Sequence, residues 1–160
     1  MKHLEKIYDK ILDDNSLEKR LKLWRKEGKT IVFSNGCFDI LHRGHVEYLS
    51  KAADLGDKLI IGLNTDDSVK RLKGPSRPVN DEKARAVVLA ALEFVDAVVF
   101  FEEDTPYNLI KNVLPDVLVK GNDYKVEDIV GYDIVTAKGG KVETIELVEG
   151  FSTTNVLLKL

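Results

Sequence analysis

Short apolar runs that alternate with helix-period segments are the feature that most constrains the fold of this chain. From residue 30 onward, apolar runs of strand length are followed by segments in which apolar residues recur every three or four positions. Such alternation builds a parallel sheet with helices on both faces, and ligands bind at the carboxyl ends of the strands. The sequence therefore predicts an α/β fold, a doubly wound parallel five-stranded sheet, with strands at Thr30–Phe33, Lys58–Leu63, Ala97–Phe101, Asp116–Val119 and Val142–Leu147.

The first 29 residues follow a helical pattern throughout. Apolar residues recur at the three- and four-residue spacing of a helix, first at Leu4, Ile7, Tyr8, Ile11 and Leu12 and then at Leu17, Leu21 and Trp24. Gly28 ends the second run. We expect residues 1–29 to be an N-terminal helical extension that packs on the main domain, residues 30–160, or on a second subunit.

Composition narrows the classes of partner. The chain of 160 residues carries 24 Lys and Arg against 27 Asp and Glu, a net charge of −3, which disfavours nucleic acid as a partner. A single cysteine, Cys37, excludes an intramolecular disulfide and nearly excludes a cysteine-based zinc site. No apolar run approaches a membrane span, and the N-terminus lacks a signal-peptide core, so we expect a cytoplasmic protein with no membrane partner.

The strongest chemical signal is Asn35–His45, where the first strand gives way to a helix. His42 and His45 lie three residues apart at that helix entrance, and Gly36 and Gly44 leave room for a close ligand. Free N–H groups at a helix N-terminus favour a phosphate. An isolated pair of this kind is more often a surface pair or a weak metal site; the surrounding pattern of strand, glycine and Phe-Asp reverses that preference.

This motif, Gly-Cys-Phe-Asp-Ile-Leu-His-Arg-Gly-His, resembles that of the nucleotidyltransferase superfamily, which includes cytidylyltransferases and pantetheine-phosphate adenylyltransferase. The resemblance implies a Rossmann-like fold of the nucleotidyltransferase type. It also implies that His42 and His45 bind nucleotide phosphates and stabilise the transition state, with Cys37 and Phe38 against the nucleotide. Asp39 would cap the turn, or less strongly lie near magnesium. The metal ligands are not specified.

Three further segments resemble the superfamily. Each has an ordinary alternative: a helix cap, a Gly-Asn turn or a solvated charged face. The resemblance implies that two of these segments bind the nucleotide. One follows the fourth predicted strand and contributes Lys120, Gly121, Asn122 and Asp123. The other lies near the C-terminus and contributes Phe151, Ser152, Thr153 and Thr154. The third segment is a cationic stretch, Lys70–Lys73 with Arg77 and with Arg85 on the next helix, that flanks a Gly/Pro loop, residues 73–79, long enough to act as a lid over the triphosphate. The resemblance implies that Lys73 is catalytic and that Arg85 binds substrate, and we expect Arg77 to contact a phosphate of either substrate.

A finer resemblance, over about residues 30–158, is to heptose 1-phosphate adenylyltransferase, the adenylyltransferase part of bifunctional heptose kinase/adenylyltransferases. It implies that ATP and a sugar 1-phosphate, D-glycero-D-manno-heptose 1-phosphate, give ADP-heptose and pyrophosphate for lipopolysaccharide or surface-glycan synthesis, with Mg²⁺ carried by ATP. The chain length suggests that a separate sugar kinase supplies the substrate, and the N-terminal apolar residues would suit a homodimer.

Two alternatives stay open. Glycerol-3-phosphate cytidylyltransferases carry an arginine where this chain has Leu147, which argues against cytosine recognition. A non-catalytic nucleotide-binding module is the alternative from another class.

Overall fold

The computed structural model describes residues 1–160. Its strands are β1 (Ile11–Leu12), β2 (Ile31–Gly36), β3 (Lys58–Asn64), β4 (Ala97–Phe101), β5 (Val117–Gly121) and β6 (Lys141–Ile145). Its helices are α1 (His3–Tyr8), α2 (Asp14–Lys26), α3 (Arg43–Ala53), α4 (Asp66–Lys73), α5 (Glu82–Ala90), α6 (Tyr107–Val113), α7 (Tyr132–Ala137) and α8 (Thr153–Leu157), with a 3-10 turn at Val126–Asp128. None of the helices has the length and apolar character that crossing a membrane requires.

The sheet confirms the predicted doubly wound parallel architecture. Its strands are all parallel, in the order β1-β4-β3-β2-β5-β6. β2 lies inside the sheet, between β3 and β5. Successive strands are added on one side of β2 up to β4 and on the other side from β5, so the connections diverge at β2. In open α/β sheets the ligand crevice lies at such a point, outside the carboxyl ends of the strands.

The predicted number of strands was wrong, because the sheet has six strands and not five. The additional strand, β1, lies within the segment predicted to be helical, and its Ile11 and Leu12 pair with Val98 and Val99 of β4. A strand of two residues is too short to show the two-residue periodicity of a strand. Ile11 and Leu12 also continue the helical spacing of the residues before them, so the sequence predicted a helix there. Its pairing depends on a strand that follows far along the chain.

Each face of the sheet has its own apolar core, because side chains alternate along the strands. On β2, Ile31 and Phe33 face one core, which α2, α6 and α7 complete. Val32 faces the other core, which includes side chains of α3 and α5. The sheet thus separates α3 and α5 from α6 and α7, and the crevice at the strand ends lies between these two layers.

The N-terminal segment is packed into the first of these cores. Leu17, Leu21 and Trp24 of α2 are buried and belong to the same apolar cluster as Ile31 and Phe33. The two predicted helices of this segment are present, as α1 and α2. Their contact is with the body of the protein itself.

Candidate active site

The two histidines cap the helix on which they lie. His42 is the N-cap residue of α3, and its Nδ1 accepts a hydrogen bond from the Gly44 N–H at 3.0 Å. His45 returns the interaction, since its Nδ1 accepts from the His42 N–H at 3.4 Å. Their rings stack with centroids 3.9 Å apart. The backbone of the helix entrance therefore fixes the position of both imidazoles.

This arrangement leaves the far nitrogens as hydrogen-bond donors. A neutral imidazole whose Nδ1 accepts a hydrogen bond carries its proton on Nε2. The His42 Nε2 is buried and has no hydrogen-bond partner. A buried polar atom without a partner is costly in a folded protein, so this N–H is available to a ligand that accepts a hydrogen bond.

Burial keeps both imidazoles neutral near pH 7. Desolvation lowers the pKa of His42. Desolvation, with the adjacent His42, lowers the pKa of His45 to about 4, although a backbone hydrogen bond with Ile40 acts in the opposite direction. The pair therefore meets an anion as two dipolar donors and not as two cations.

The turn before the helix is shaped by close packing. Phe38 has a positive φ of 45°, which is uncommon for an aromatic residue, and its ring meets the His45 ring edge-on at 5.4 Å. A Cβ at Gly36 would lie 2.9 Å from the Phe38 ring, and one at Gly44 would lie 3.0 Å from the Phe151 Cβ. Both glycines are therefore required by close contacts inside the site.

Asp39 anchors the predicted lid. Its buried carboxylate accepts hydrogen bonds from the backbone N–H groups of Val79 and Asn80, each at 2.9 Å, and forms an ion pair with Arg77 at 2.6 Å. Desolvation alone would raise the pKa of Asp39, but the hydrogen bonds and Arg77 lower it. The carboxylate is thus occupied within the protein and holds the loop before α5 against the end of β2.

Arg85 requires a correction, because its side chain does not reach the cleft. The Arg85 side chain is 1% exposed, and its guanidinium pairs with Asp66 at 2.8 Å. It also donates hydrogen bonds to the backbone carbonyls of Cys37, Asn64 and Asn80. Arg85 therefore connects the ends of β2 and β3 to the lid, and it does not line the cleft in which the sequence predicted it to bind substrate.

Two lysines are left without a carboxylate partner. Lys73 and Lys120 form no ion pair, whereas Arg77 and Arg85 do. The Lys120 ammonium is 3.5 Å from the Asn35 carbonyl and 5.4 Å from the centre of the Tyr124 ring. Burial lowers its pKa, although Asp123 and Cys37 act in the opposite direction. These ammonium groups are the cations most available to an anionic ligand.

The cleft consists of two adjoining cavities of about 620 and 390 Å³. Lys73, Lys120 and His45 line both cavities, as do the turn at residues 35–38 and Ser152 and Thr153. Asp39, Arg77 and Thr154 line only the larger one, and His42, Gly44, Gly121, Asp123 and Phe151 line only the smaller one. Arg85 and Asn122 line neither. The structure thus gathers most of the predicted site residues around one cleft.

The C-terminal segment covers the histidine side of this cleft. Ser152 caps α8 by accepting a hydrogen bond from the Asn155 N–H at 3.0 Å, which is the ordinary role that its sequence context also allowed. The Phe151 ring lies 6.4 Å from the His42 ring, and the Arg43 guanidinium is 5.4 Å from the centre of the Phe151 ring.

Several lining residues were not among those predicted. They share a position after the carboxyl end of a strand or next to a predicted motif, and they include Asn64, Asp104, Thr105, Tyr124, Asp128, Ile129 and Leu147. Ligands of parallel sheets bind outside the carboxyl ends of the strands, so the residues that follow each predicted strand could have been included as candidates, and these comprise most of the set. Asp128 lies in a stretch, residues 128–131, that contributes to the finer family resemblance, but the sequence assigned it no role in the site.

The site can be compared with known proteins. A family model described as cytidylyltransferase-like matches residues 33–156. The Bifunctional protein HldE of Syntrophotalea carbinolica is 55% identical over 161 aligned positions, which cover 100% of this chain and 33% of that protein. The protein of the same name from Nitrobacter hamburgensis is 57% identical over 143 residues, covering 89% of this chain and 29% of that protein. The chain spans about a third of the length of these curated relatives.

Two solved structures share the fold of this chain. A lipopolysaccharide core biosynthesis protein from Thermoplasma volcanium is 30% identical with a TM-score of 0.62, covering 76% of this chain and 98% of that one. A pantoate-beta-alanine ligase from Francisella tularensis, solved with an ATP analogue and beta-alanine, has a TM-score of 0.59 at 14% identity, covering 93% of this chain and 76% of that one. The second likeness concerns the fold alone.

Proposed function

The chain belongs to the cytidylyltransferase-like family, and from this premise we propose that it transfers AMP from ATP to D-glycero-D-manno-heptose 1-phosphate. The products are ADP-heptose and pyrophosphate, for lipopolysaccharide or surface-glycan synthesis. The sequence resemblance to heptose 1-phosphate adenylyltransferase supports the substrate, as do the names of relatives at 55% and 57% identity. The name of the Thermoplasma volcanium protein supports the same pathway class.

The reaction needs no general base. A phosphate oxygen of the acceptor attacks the α-phosphorus of ATP, a new P–O bond forms, and the bond to the β-phosphate breaks. Pyrophosphate leaves with the electron pair. The second pKa of a phosphate monoester is about 6, so the nucleophile is already ionised near neutral pH. The protein has to position two phosphates and stabilise the charge that moves between them.

The unpartnered His42 Nε2 is the single observation that carries this mechanism. Its N–H and that of His45 would donate hydrogen bonds to oxygens of the reacting phosphates. Such donors contribute most where charge increases in the transition state, because they are already oriented. A nearby phosphate would also raise the pKa of each imidazole, since an anion stabilises its protonated form.

Lys73 and Lys120 would neutralise phosphate charge from the boundary between the two cavities. Arg77 would join them if it exchanged the Asp39 carboxylate for a phosphate. Their position at this boundary supports a role in neutralising the charge of the two reacting phosphates. Asp39 then holds the loop and does not act on the substrate.

Mg²⁺ would arrive as part of the MgATP substrate, because it binds through substrate phosphates and keeps several of its waters. No group of three or more histidine, cysteine or acidic side chains in the structure could hold a metal ion. A sugar kinase activity must supply the 1-phosphate. We place the reaction in the cytoplasm, where ATP is available, and a homodimer stays a prediction that light scattering can test.

A substrate panel tests the proposal. ATP, CTP, GTP and UTP are each combined with heptose 1-phosphate and with glycerol 3-phosphate, and pyrophosphate release is measured. We expect turnover with ATP and heptose 1-phosphate. Turnover with CTP and glycerol 3-phosphate but none with ATP would instead identify a polyol-phosphate cytidylyltransferase. Binding of ATP without turnover on any acceptor would indicate a non-catalytic module.

A further inference from the structure

The two cavities of the cleft differ in chemistry. Leu147, Val148 and Phe151 give the smaller cavity an apolar wall next to His42. The larger cavity is lined by Asp104 and Asp128 together with Thr105, whereas Asp123 is the single acidic residue that lines the smaller one. A planar, largely apolar ligand group suits the first wall, whereas hydroxyl groups suit the second, because carboxylates accept hydrogen bonds from them.

The sheet separates these walls. The histidines lie on α3, which packs in the core that contains Val32. Asp104 precedes α6, and Ile129, next to Asp128, packs with α6 in the core that contains Phe33. The acidic wall therefore belongs to the layer of α6 and α7, on the other side of the strand ends from the histidine pair.

The acidic wall has hydrogen-bonding capacity that the protein does not use. The Asp128 carboxylate forms no hydrogen bond or ion pair, and the Thr105 hydroxyl forms none either, although both residues line the cavity. Asp104 uses only Oδ1, in its 3.0 Å ion pair with Arg71. Free acceptors on one wall can bind several hydroxyl groups of one ligand.

The charges also orient such a ligand. Lys73 and Lys120 line both cavities, so a phosphate beside them can meet a second phosphate across the boundary. Carboxylates disfavour a phosphate at the acidic wall, because like charges repel. A ligand with phosphate at one end and hydroxyls at the other therefore fits the larger cavity in one direction only.

From these observations we infer that the larger cavity is the acceptor subsite and that Asp128, with Thr105 and Asp104, selects the acceptor by its sugar hydroxyls. The inference rests on the proposed function and adds to it the residues that distinguish a sugar phosphate from a simpler phosphate ester. The acceptor phosphate lies at Lys73 and Lys120, and the nucleoside lies in the smaller cavity.

Asp128→Ala tests this assignment, with Glu127→Ala as the matched control. Glu127 is the adjacent exposed acid and lines neither cavity. We expect Asp128→Ala to raise the KM for heptose 1-phosphate by about tenfold or more, the effect of losing a hydrogen bond to a charged group. The KM for ATP, and the Kd for ATP by calorimetry, stay within about twofold, and Glu127→Ala matches the wild type in every value.

A second variant and a second acceptor make the test specific. Thr105→Val keeps the shape of the side chain and removes its hydroxyl. Glucose 1-phosphate and glycerol 3-phosphate are compared as acceptors with heptose 1-phosphate. We expect both variants to lose part of the wild-type preference for heptose 1-phosphate, because the discriminating hydrogen bonds are lost while the phosphate contacts remain.

The outcomes separate the inference from the proposed function. An unchanged KM for heptose 1-phosphate in both variants would overturn the subsite while the activity stands. A raised KM for ATP with an unchanged acceptor KM would place the nucleotide at the acidic wall and overturn it as well. Failure of the wild type to use any sugar phosphate with ATP would overturn the proposed function, and with it the sugar subsite.

Discussion

At the scale of single residues, the central feature is an imidazole pair held neutral by its surroundings. Its two Nδ1 atoms cap α3 and burial lowers both pKa values, so the site needs no fixed positive charge at this point. Two neutral imidazoles do not repel each other at a centroid distance of 3.9 Å, whereas two imidazolium cations would. A phosphate bound beside them would raise the pKa of both imidazoles, so protonation would be favoured only while the substrate is bound.

The histidine pair can be tested without disturbing the helix cap. His42→Asn keeps a favoured N-cap residue but removes the Nε2 donor, and His45→Gln keeps a capping-box residue at the third position of α3 but removes the second imidazole. We expect kcat to fall by about 10²- to 10³-fold in each variant, the usual effect of losing one oriented donor. His3→Ala is the control, since His3 is exposed at the start of α1. Turnover within about twofold of wild type in both site variants would contradict the mechanism.

The lowered pKa of His45 predicts a pH dependence of stability. Between about pH 6.5 and 4 the unfolded chain binds a proton at this position and the folded chain does not. The free energy of unfolding therefore decreases as the pH falls through this window, by up to about 1.4 kcal/mol per pH unit for one such group. His42 contributes in the same direction.

Urea unfolding at several pH values measures this effect. His45→Gln removes the titrating group, so its stability should depend less steeply on pH than that of the wild type across the same window. Asp39 and Asp116, whose lowered pKa values act nearer pH 4 and below, are unchanged in both proteins. Parallel pH profiles for the two proteins would show that His45 titrates normally in the folded state.

At the scale of elements, buried polar side chains join segments that secondary structure alone leaves separate. Arg85 of α5 ties the ends of β2 and β3, and Asp39 ties the end of β2 to the loop before α5. Both act through backbone groups that would otherwise be buried without partners. The geometry of the cleft therefore depends on residues that do not themselves face the substrate.

Arg85→Met and Arg71→Met compare how much a buried ion pair and an exposed ion pair contribute to stability. We expect Arg85→Met to lower the free energy of unfolding by about 3–5 kcal/mol, since it leaves Asp66 and three carbonyls without their buried donor. Arg71→Met breaks an exposed pair with Asp104 and should cost about 1 kcal/mol or less. Chemical denaturation measures both. A small cost at Arg85 combined with a raised KM would restore it to a substrate-binding role.

At the scale of the whole molecule, the N-terminal residues complete the sheet and one of its cores. β1 extends the sheet beyond β4, and α2 covers the same face as α6 and α7. Without α2, the apolar side chains of Ile31 and Phe33 would lose part of their cover. The stability of the site is thus coupled to a segment that carries no chemical motif.

Two leucines on α2 test this coupling with the same chemical change. Leu21 is 3% exposed and Leu23 is 50% exposed. We expect Leu21→Ala to lower the free energy of unfolding by about 2–5 kcal/mol, as for buried leucines in general. Leu23→Ala should change it by no more than about 0.5 kcal/mol. Similar small effects in thermal or urea unfolding would mean that α2 contributes little to the stability of the domain.

The sequence by itself determined the parallel α/β architecture and the position of the main motif. Hydrophobic periodicity reports the local backbone, and Asn35–His45 follows a strand directly, so both are readable from neighbouring residues.

Only the tertiary structure decided what depends on partners distant in sequence. β1 exists because β4 is beside it, and Arg85 is buried because the carbonyls of Cys37 and Asn64 converge on it. In the sequence, Arg77 lies in the loop and Arg85 on the predicted helix that follows, but no local pattern shows that Arg85 is the buried one of the two. Residue type alone does not show which cation holds the cleft together and which is available to a ligand. Burial and hydrogen bonds to distant residues decide this, and they assign Arg85 to the first role.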